Sequence, residues 1–292
     1  VDDLARRRWL VLASAVLSFF AVGATFFAVP PLVPQLVASF GLDHLMVGIL
    51  MGSIAVPAIL LSIPLGAAVD RWPARAAGNV GLLVMAAGGT LFALASSFPA
   101  LLLGRLVFGA GGLLLNLLLA RLVTAAFAGR ELSLAMGIFN SVYPASMIVM
   151  FTLHPLLLRL AGWRGELLAL AALAVAALPL HNIALPAGPR PGSVAAPSPR
   201  SRGRVTPALV ALAAAWMLFF GVYAAVFTFA PEWAGGDAAA LRTAALIAWA
   251  ALVLAPAAGA AIDRTGRPGR WLAGALVLLS AALAAMAFEA IG

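Results

Sequence analysis

Two short strings repeat most of what is chemically distinctive in this sequence. One is Gly66-Ala-Ala-Val-Asp70-Arg71, followed by Arg75. The other is Gly259-Ala-Ala-Ile-Asp263-Arg264, followed by Gly266 and Arg267. The two glycines lie 193 residues apart, and each string ends a long apolar run and opens a charged turn. A glycine without a side chain lets another helix come close. An aspartate beside arginines fixes charge at the end of a helix. Such residues suit docking and ion pairing rather than bond making. A duplicated charged turn in so apolar a chain points to a membrane protein built from two related halves.

The remaining polar groups lie inside apolar runs, where burying them is costly. In the run 99–121, Arg105, Gly109, Gly112 and Asn116 share one helical face. The glycines permit close packing, whereas Arg105 and Asn116 need water, a partner or a ligand. Arg105 is about six residues from the end of its run, so snorkelling to the membrane surface is the alternative. In the run 133–158, Asn140, Pro144, Met147, Phe151 and His154 share a face, with Tyr143 beside it. Pro144 frees a backbone carbonyl, which makes Asn140 and Tyr143 candidate cavity residues. His154 lies about 21 Å along the axis from Asn140, near the opposite surface, where packing is the expectation. In the run 207–231, Trp216, Phe220, Tyr223 and Phe227 form an aromatic stripe suited to packing, with Tyr223 its candidate cavity member.

Catalysis finds little to work with. The chain has no cysteine and only three scattered histidines, His44, His154 and His181, with no acid cluster around them. No enzyme, metal site or cofactor is expected from these residues. No Gly-x-x-x-x-Gly-Lys-Ser/Thr loop is present, so nucleotide-driven work is unsupported. The net charge of +8 comes from arginines scattered among membrane-length segments, a pattern that argues for topology rather than nucleic-acid binding.

The elements that must position these residues are spanning helices. Only 10% of the 292 residues are charged and 64% are hydrophobic, against about 25% charged in a soluble domain. Nine runs are long enough to span: 9–34, 45–69, 77–97, 99–121, 133–158, 165–185, 207–231, 241–262 and 271–290. The first is too long for the core of a cleaved leader and reads as a retained span. Of 18 basic residues, all arginine, 14 fall on the amino-terminal side of the membrane and 3 on the other, with Arg105 within it. The positive-inside rule therefore puts the amino terminus in the cytoplasm. The stretch 186–206 is rich in Pro, Gly, Ser and Arg and is expected to be a flexible cytoplasmic linker. The expected organisation is a six-helix bundle over 1–185 and a partial, three-helix bundle over 207–292, in an all-α membrane fold.

The paired turns resemble the signature of the major facilitator superfamily, Gly-x-Leu-Ala-Asp-Arg-x-Gly-Arg-Lys after the second helix of each half. The first copy keeps Gly66, Asp70 and Arg71, has Pro73 and Ala74 in place of Gly-Arg, and has Arg75 at the final basic position. The second keeps Gly259, Asp263, Arg264, Gly266 and Arg267. Arg105-Leu-Val-Phe-Gly109-Ala-Gly111 resembles the family's fourth-helix pattern. The resemblance covers nine of an expected twelve helices, as in a shortened gene or a fragment.

It implies a secondary transporter of a small solute in the bacterial inner membrane, working by alternating access. The motif aspartate would latch the halves by a charge–dipole contact to a helix amino terminus. The counterpart of Asp70 would lie in an eleventh helix, beyond residue 292, while that of Asp263 lies near the start of the fifth. Arg121 is a second candidate partner for Asp70. The plain alternative is that these charges only set topology and cap helices. No carboxylate lies deep in any run, so the acid relay of a proton-driven pump is not visible. A positive Arg105 among neutral polar groups suits a small organic anion better than a cation. The competing possibility is a transport-incompetent relative acting as a sensor or assembly partner, its second half completed by further helices or by another chain.

Overall fold

The computed structural model describes residues 7–129, 131–185, 238–291 and scattered positions between 206 and 218. Residues 186–205 of the expected linker 186–206, most of the run 207–231, and Tyr223 lie outside the described residues. Every regular element among those described is a helix: α1 Arg8–Phe40, α2 His44–Gly52, α3 Ala55–Arg71, α4 Ala74–Ala93, α5 Phe98–Ala126, α6 Leu132–Ala184, α7 Ala238–Thr265 and α8 Pro268–Ile291. The protein is an all-α membrane helical bundle. Among the described residues, five segments are long and apolar enough to cross a membrane: α1, α2 with α3, α4, α5 and α6.

Local chemistry explains the boundaries. Gly41 takes a left-handed conformation (φ 63°) and closes α1, with its N–H on the Val37 carbonyl. The Asp43 side chain accepts from the Met46 amide at 2.7 Å and starts α2. The expected run 45–69 is interrupted at Ser53 and Ile54, which keep helical angles. Pro57 has no N–H to give the Ser53 carbonyl, so the Val56 amide bonds it instead at 3.1 Å. Trp72, extended because a proline follows it, ends α3. Pro73 then opens α4 three residues earlier than the expected run, which brings Arg75 into its first turn.

The two expected runs 133–158 and 165–185 appear as one 53-residue element, α6, broken at Gly162 (φ 65°, ψ 174°). A straight helix of that length would extend about 80 Å, far more than the roughly 30 Å hydrocarbon core. Instead the chain folds back. His154 and Glu166 would be about 18 Å apart along a straight helix, yet the imidazole Nδ1 lies 3.0 Å from a Glu166 carboxylate oxygen. Gly162, free of a Cβ, supplies the reversal.

The helices pack with backbones close together. A Cβ on Gly88 of α4 would come 2.2 Å from the Phe108 nitrogen of α5, and one on Gly104 of α5 would come 2.6 Å from the Phe92 nitrogen of α4. Small residues therefore bring this antiparallel pair together. One apolar core, including Phe19, Leu82, Leu115 and Phe139, occupies the half nearer the motif turns. A second, including Phe27, Leu32, Phe92, Leu101, Met147 and Leu167, occupies the other half.

Candidate functional site

The second motif, at the end of α7, docks against a helix that has no cap of its own, α6. The residue before α6, Glu131, is in a left-handed conformation (φ 52°), and its side chain makes no capping bond. The first amides of a helix have no partner within it and need acceptors from elsewhere. Asp263, at the end of α7, supplies both: its Oδ1 accepts from the Ser133 amide at 3.0 Å and its Oδ2 from the Leu134 amide at 2.8 Å. These are the positions an N-cap side chain normally serves, here reached from another helix. Partial desolvation raises the Asp263 pKa. The bonds from the Leu134 backbone and from the side chain and backbone of Ser133 outweigh that effect, and the carboxyl titrates below its ordinary range.

Glycine makes this contact possible. A Cβ on Gly259 would lie 2.2 Å from the Ser133 carbonyl oxygen, and one on Gly137 would lie 2.5 Å from the Ala255 carbonyl oxygen. Residues 133 and 137 therefore meet 259 and 255 in antiparallel order. Arg264, Gly266 and Arg267 are exposed in the turn beyond, where Gly266 (φ 61°) reverses the chain toward α8.

The first motif is engaged differently. No described atom comes within 4 Å of a Cβ built on Gly66. Asp70 is largely exposed and pairs with Arg121 of α5, which also donates to the Val69 carbonyl at 3.3 Å. Arg71 is exposed. Arg75 turns into its own bundle, its Nε donating to Asn182 Oδ1 at the end of α6. Asn182 and Asn79 of α4 exchange amide bonds at 3.0 and 3.1 Å. Sequence reasoning missed Asn79 and Asn182. A polar amide within the apolar run 165–185 was the available signal, but nothing local names a partner 103 residues away.

The face expected along α5 divides. Arg105 does not snorkel: it is 3% exposed and lines a small pocket with Thr25, Val29, Phe92, Phe108 and Leu167. Gly109 meets Ile54 and Pro57, Gly112 meets Val22 of α1, and Asn116 is exposed. Asn140 is also exposed, its amide on the Met136 carbonyl at 2.8 Å. Tyr143 lies among Phe19, Phe26 and Phe27, its ring centre 4.8 Å from that of Phe27.

His154 is packed, as expected, but it is not alone. It is 8% exposed and meets both oxygens of Glu166, at 3.1 and 3.0 Å. Glu166 is fully buried, although it stays near the outer end of its run, where the sequence placed it. Its place near the end of a run hid this, because burial follows from the hairpin at Gly162 and not from sequence depth. Arg164 stays beside the turn, held by the carbonyls of Ala93 and Ala95 at 3.1 Å each.

These features define a polytopic membrane protein whose helices dock through glycine and a carboxylate-to-amide contact. A family model described as the Major Facilitator Superfamily matches residues 15–291. The chain belongs to that superfamily, and is a membrane transporter in the general sense of the family. Comparison with curated proteins gives no match.

Proposed function

We propose that this chain is a secondary active transporter that moves a small solute by alternating access, with residues 1–185 and 207–292 as its two moving bodies and 186–206 as their cytoplasmic linker. The observation that carries this proposal is the Asp263 carboxylate on the amino terminus of α6. That contact closes the arginine-rich face, and breaking it requires only that two amides and a carboxylate rehydrate. It is therefore a reversible gate at a surface, and the arginine distribution puts that surface in the cytoplasm. Asp70 with Arg121 is the corresponding charge cluster of the first motif.

Asn116 of α5 and Asn140 of α6 are exposed polar groups within apolar helices, and with the half-buried Tyr143 they are the candidate solute contacts. Arg105 adds a positive charge about 16 Å along the axis from Asn116. This favours a small organic anion as the solute. The test is uptake by the purified protein in proteoliposomes across a panel of labelled mono- and dicarboxylates, with Asp263→Asn alongside. Saturable uptake of one compound, slowed at least severalfold by Asp263→Asn, is expected. Failure to move any of them would favour a non-transporting relative. Uptake indifferent to Asp263→Asn would remove the gate.

A further inference from the structure

Glu131 occupies the position from which α6 would ordinarily be capped. Its carbonyl accepts the Ala135 amide at 2.9 Å, the first bond of the helix. Leu132, Ser133 and Leu134 are thus the first three helical residues. A side chain at the N-cap serves the second and third amides. Those are the amides of Ser133 and Leu134, the two that Asp263 takes. Two carboxylates therefore compete for one pair of donors, one local and one from α7.

Arg8, at the start of α1, keeps Glu131 away. Its Nη2 lies 3.2 Å from a Glu131 carboxylate oxygen. The backbone at Glu131 is left-handed (φ 52°) rather than extended, and its side chain makes no capping bond. Arg8 is itself well seated. Its guanidinium carbon is 5.7 Å from the ring centres of both Trp9 and Phe127, and those rings meet edge to face at 5.1 Å. Phe127, which closes α5, is fully buried. Cation–π contacts to two rings reinforce an ion pair that would be weak on an open surface. The charges follow the same logic, because the amino terminus of a helix is positive and two carboxylates there repel each other. With Arg8 neutralising Glu131, Asp263 meets a positive helix end. With Glu131 released onto its own amides, Asp263 would meet occupied donors and a like charge.

We infer that Arg8 is a positioning residue of the gate: by holding Glu131 off the amino terminus of α6, it leaves those amides to Asp263. This rests on the gating role of Asp263 proposed above. A helix that capped itself would have no use for a carboxylate from another helix, and the contact would not latch. When Asp263 withdraws, Glu131 is the local acceptor for the amides it leaves, so the same competition stabilises the open state.

The experiment reads the gate directly. The chain has no cysteine, so Thr124→Cys on α5 and Gly269→Cys on α8 can carry two spin labels, both positions being exposed. The full protein is reconstituted in lipid nanodiscs, and double electron–electron resonance gives the ratio of separated to closed molecules. Glu131→Asp is the decisive variant. Aspartate is a strong N-cap and one methylene too short to keep the contact with Arg8. The ratio should rise about threefold, the effect of one charge at a helix end, while the unfolding midpoint does not fall. Arg8→Gln should raise the ratio likewise, and adding Glu131→Gln should return it to the unaltered value. Glu131→Gln alone should leave the gate shut.

A plain structural tie predicts otherwise: Arg8→Gln and Glu131→Gln would loosen the gate equally, with no rescue in the double variant. That result overturns the inference, as does a Glu131→Asp ratio equal to that of the unaltered protein. Asp263→Asn in the same labelled pair separates the two readings. If it raises the ratio and Glu131→Asp does not, the gate stands and the role of Arg8 falls. If Asp263→Asn changes nothing, the gate itself falls and the role of Arg8 with it. Should Arg8→Gln fail to fold, the opposite responses to Glu131→Asp and Glu131→Gln, both at an exposed residue, decide the question.

Discussion

Asp263 shows how one carboxylate serves a helix that did not supply its own cap. Its two acceptors replace the side chain that Glu131 does not provide. Asp263→Ala is expected to cost about 0.5–2 kcal/mol, the usual price of a lost N-cap, read as a lower unfolding midpoint at pH 7. The sign with pH follows from its lowered pKa. The contact contributes fully above an ordinary aspartate pKa of about 3.9 and is lost as pH falls through the lower folded value. The difference between wild type and Asp263→Ala should therefore close at acid pH; a difference constant down to pH 2 would contradict the capping role. His154 and Glu166 make a second residue-scale case. Removing one partner of a buried pair leaves the other uncompensated, at about 3–5 kcal/mol, whereas replacing both with apolar groups is far milder. The double variant His154→Leu/Glu166→Leu should accordingly melt above either Glu166→Ala or His154→Ala.

At the scale of elements, the crossing of α6 and α7 contrasts with the open side of α3. A side chain at Gly259 would overlap Ser133, but one at Gly66 meets nothing described within 4 Å. Gly259→Val should destabilise by about 1–3 kcal/mol through overpacking, and Gly66→Val should leave the midpoint nearly unchanged. Equal effects would show that the two helices are packed alike. The helices themselves were readable from apolar run length, as were α7 and α8 to within a few residues. The start of α4 was misplaced because Arg75 looks like a loop residue, when its guanidinium is satisfied by Asn182 inside the bundle. The reversal at Gly162 was expected as a gap between two runs. The pairing of His154 with Glu166 that it causes was not, since it depends on which faces of two adjacent limbs meet.

For the whole molecule, two copies of one motif are engaged unequally. Asp263 binds backbone amides across helices, while Asp70 binds a side chain within its own bundle. Spacing alone revealed the duplication but could not reveal this difference, because partners are set by neighbours distant in sequence. Arg105 is similar: its type and position were plain, while its burial emerged only from packing. The arginine bias predicts the orientation. The chain has no cysteine, so single cysteines can be introduced without background. One placed in 186–206 should resist a membrane-impermeant thiol reagent in intact cells, and one at Gly162 should react. The opposite pattern would invert the topology.

The borrowed cap of α6 also has a timetable. Its acceptor lies 130 residues after Ser133 in the chain, and a ribosome adding about 5–20 residues per second needs roughly 7–25 seconds to deliver it. Throughout that interval the first turn of α6 emerges with two amides that have no acceptor from Asp263. Biogenesis of this protein thus contains a defined period in which the start of its fifth span depends on water, lipid headgroups or an insertion factor until α7 arrives.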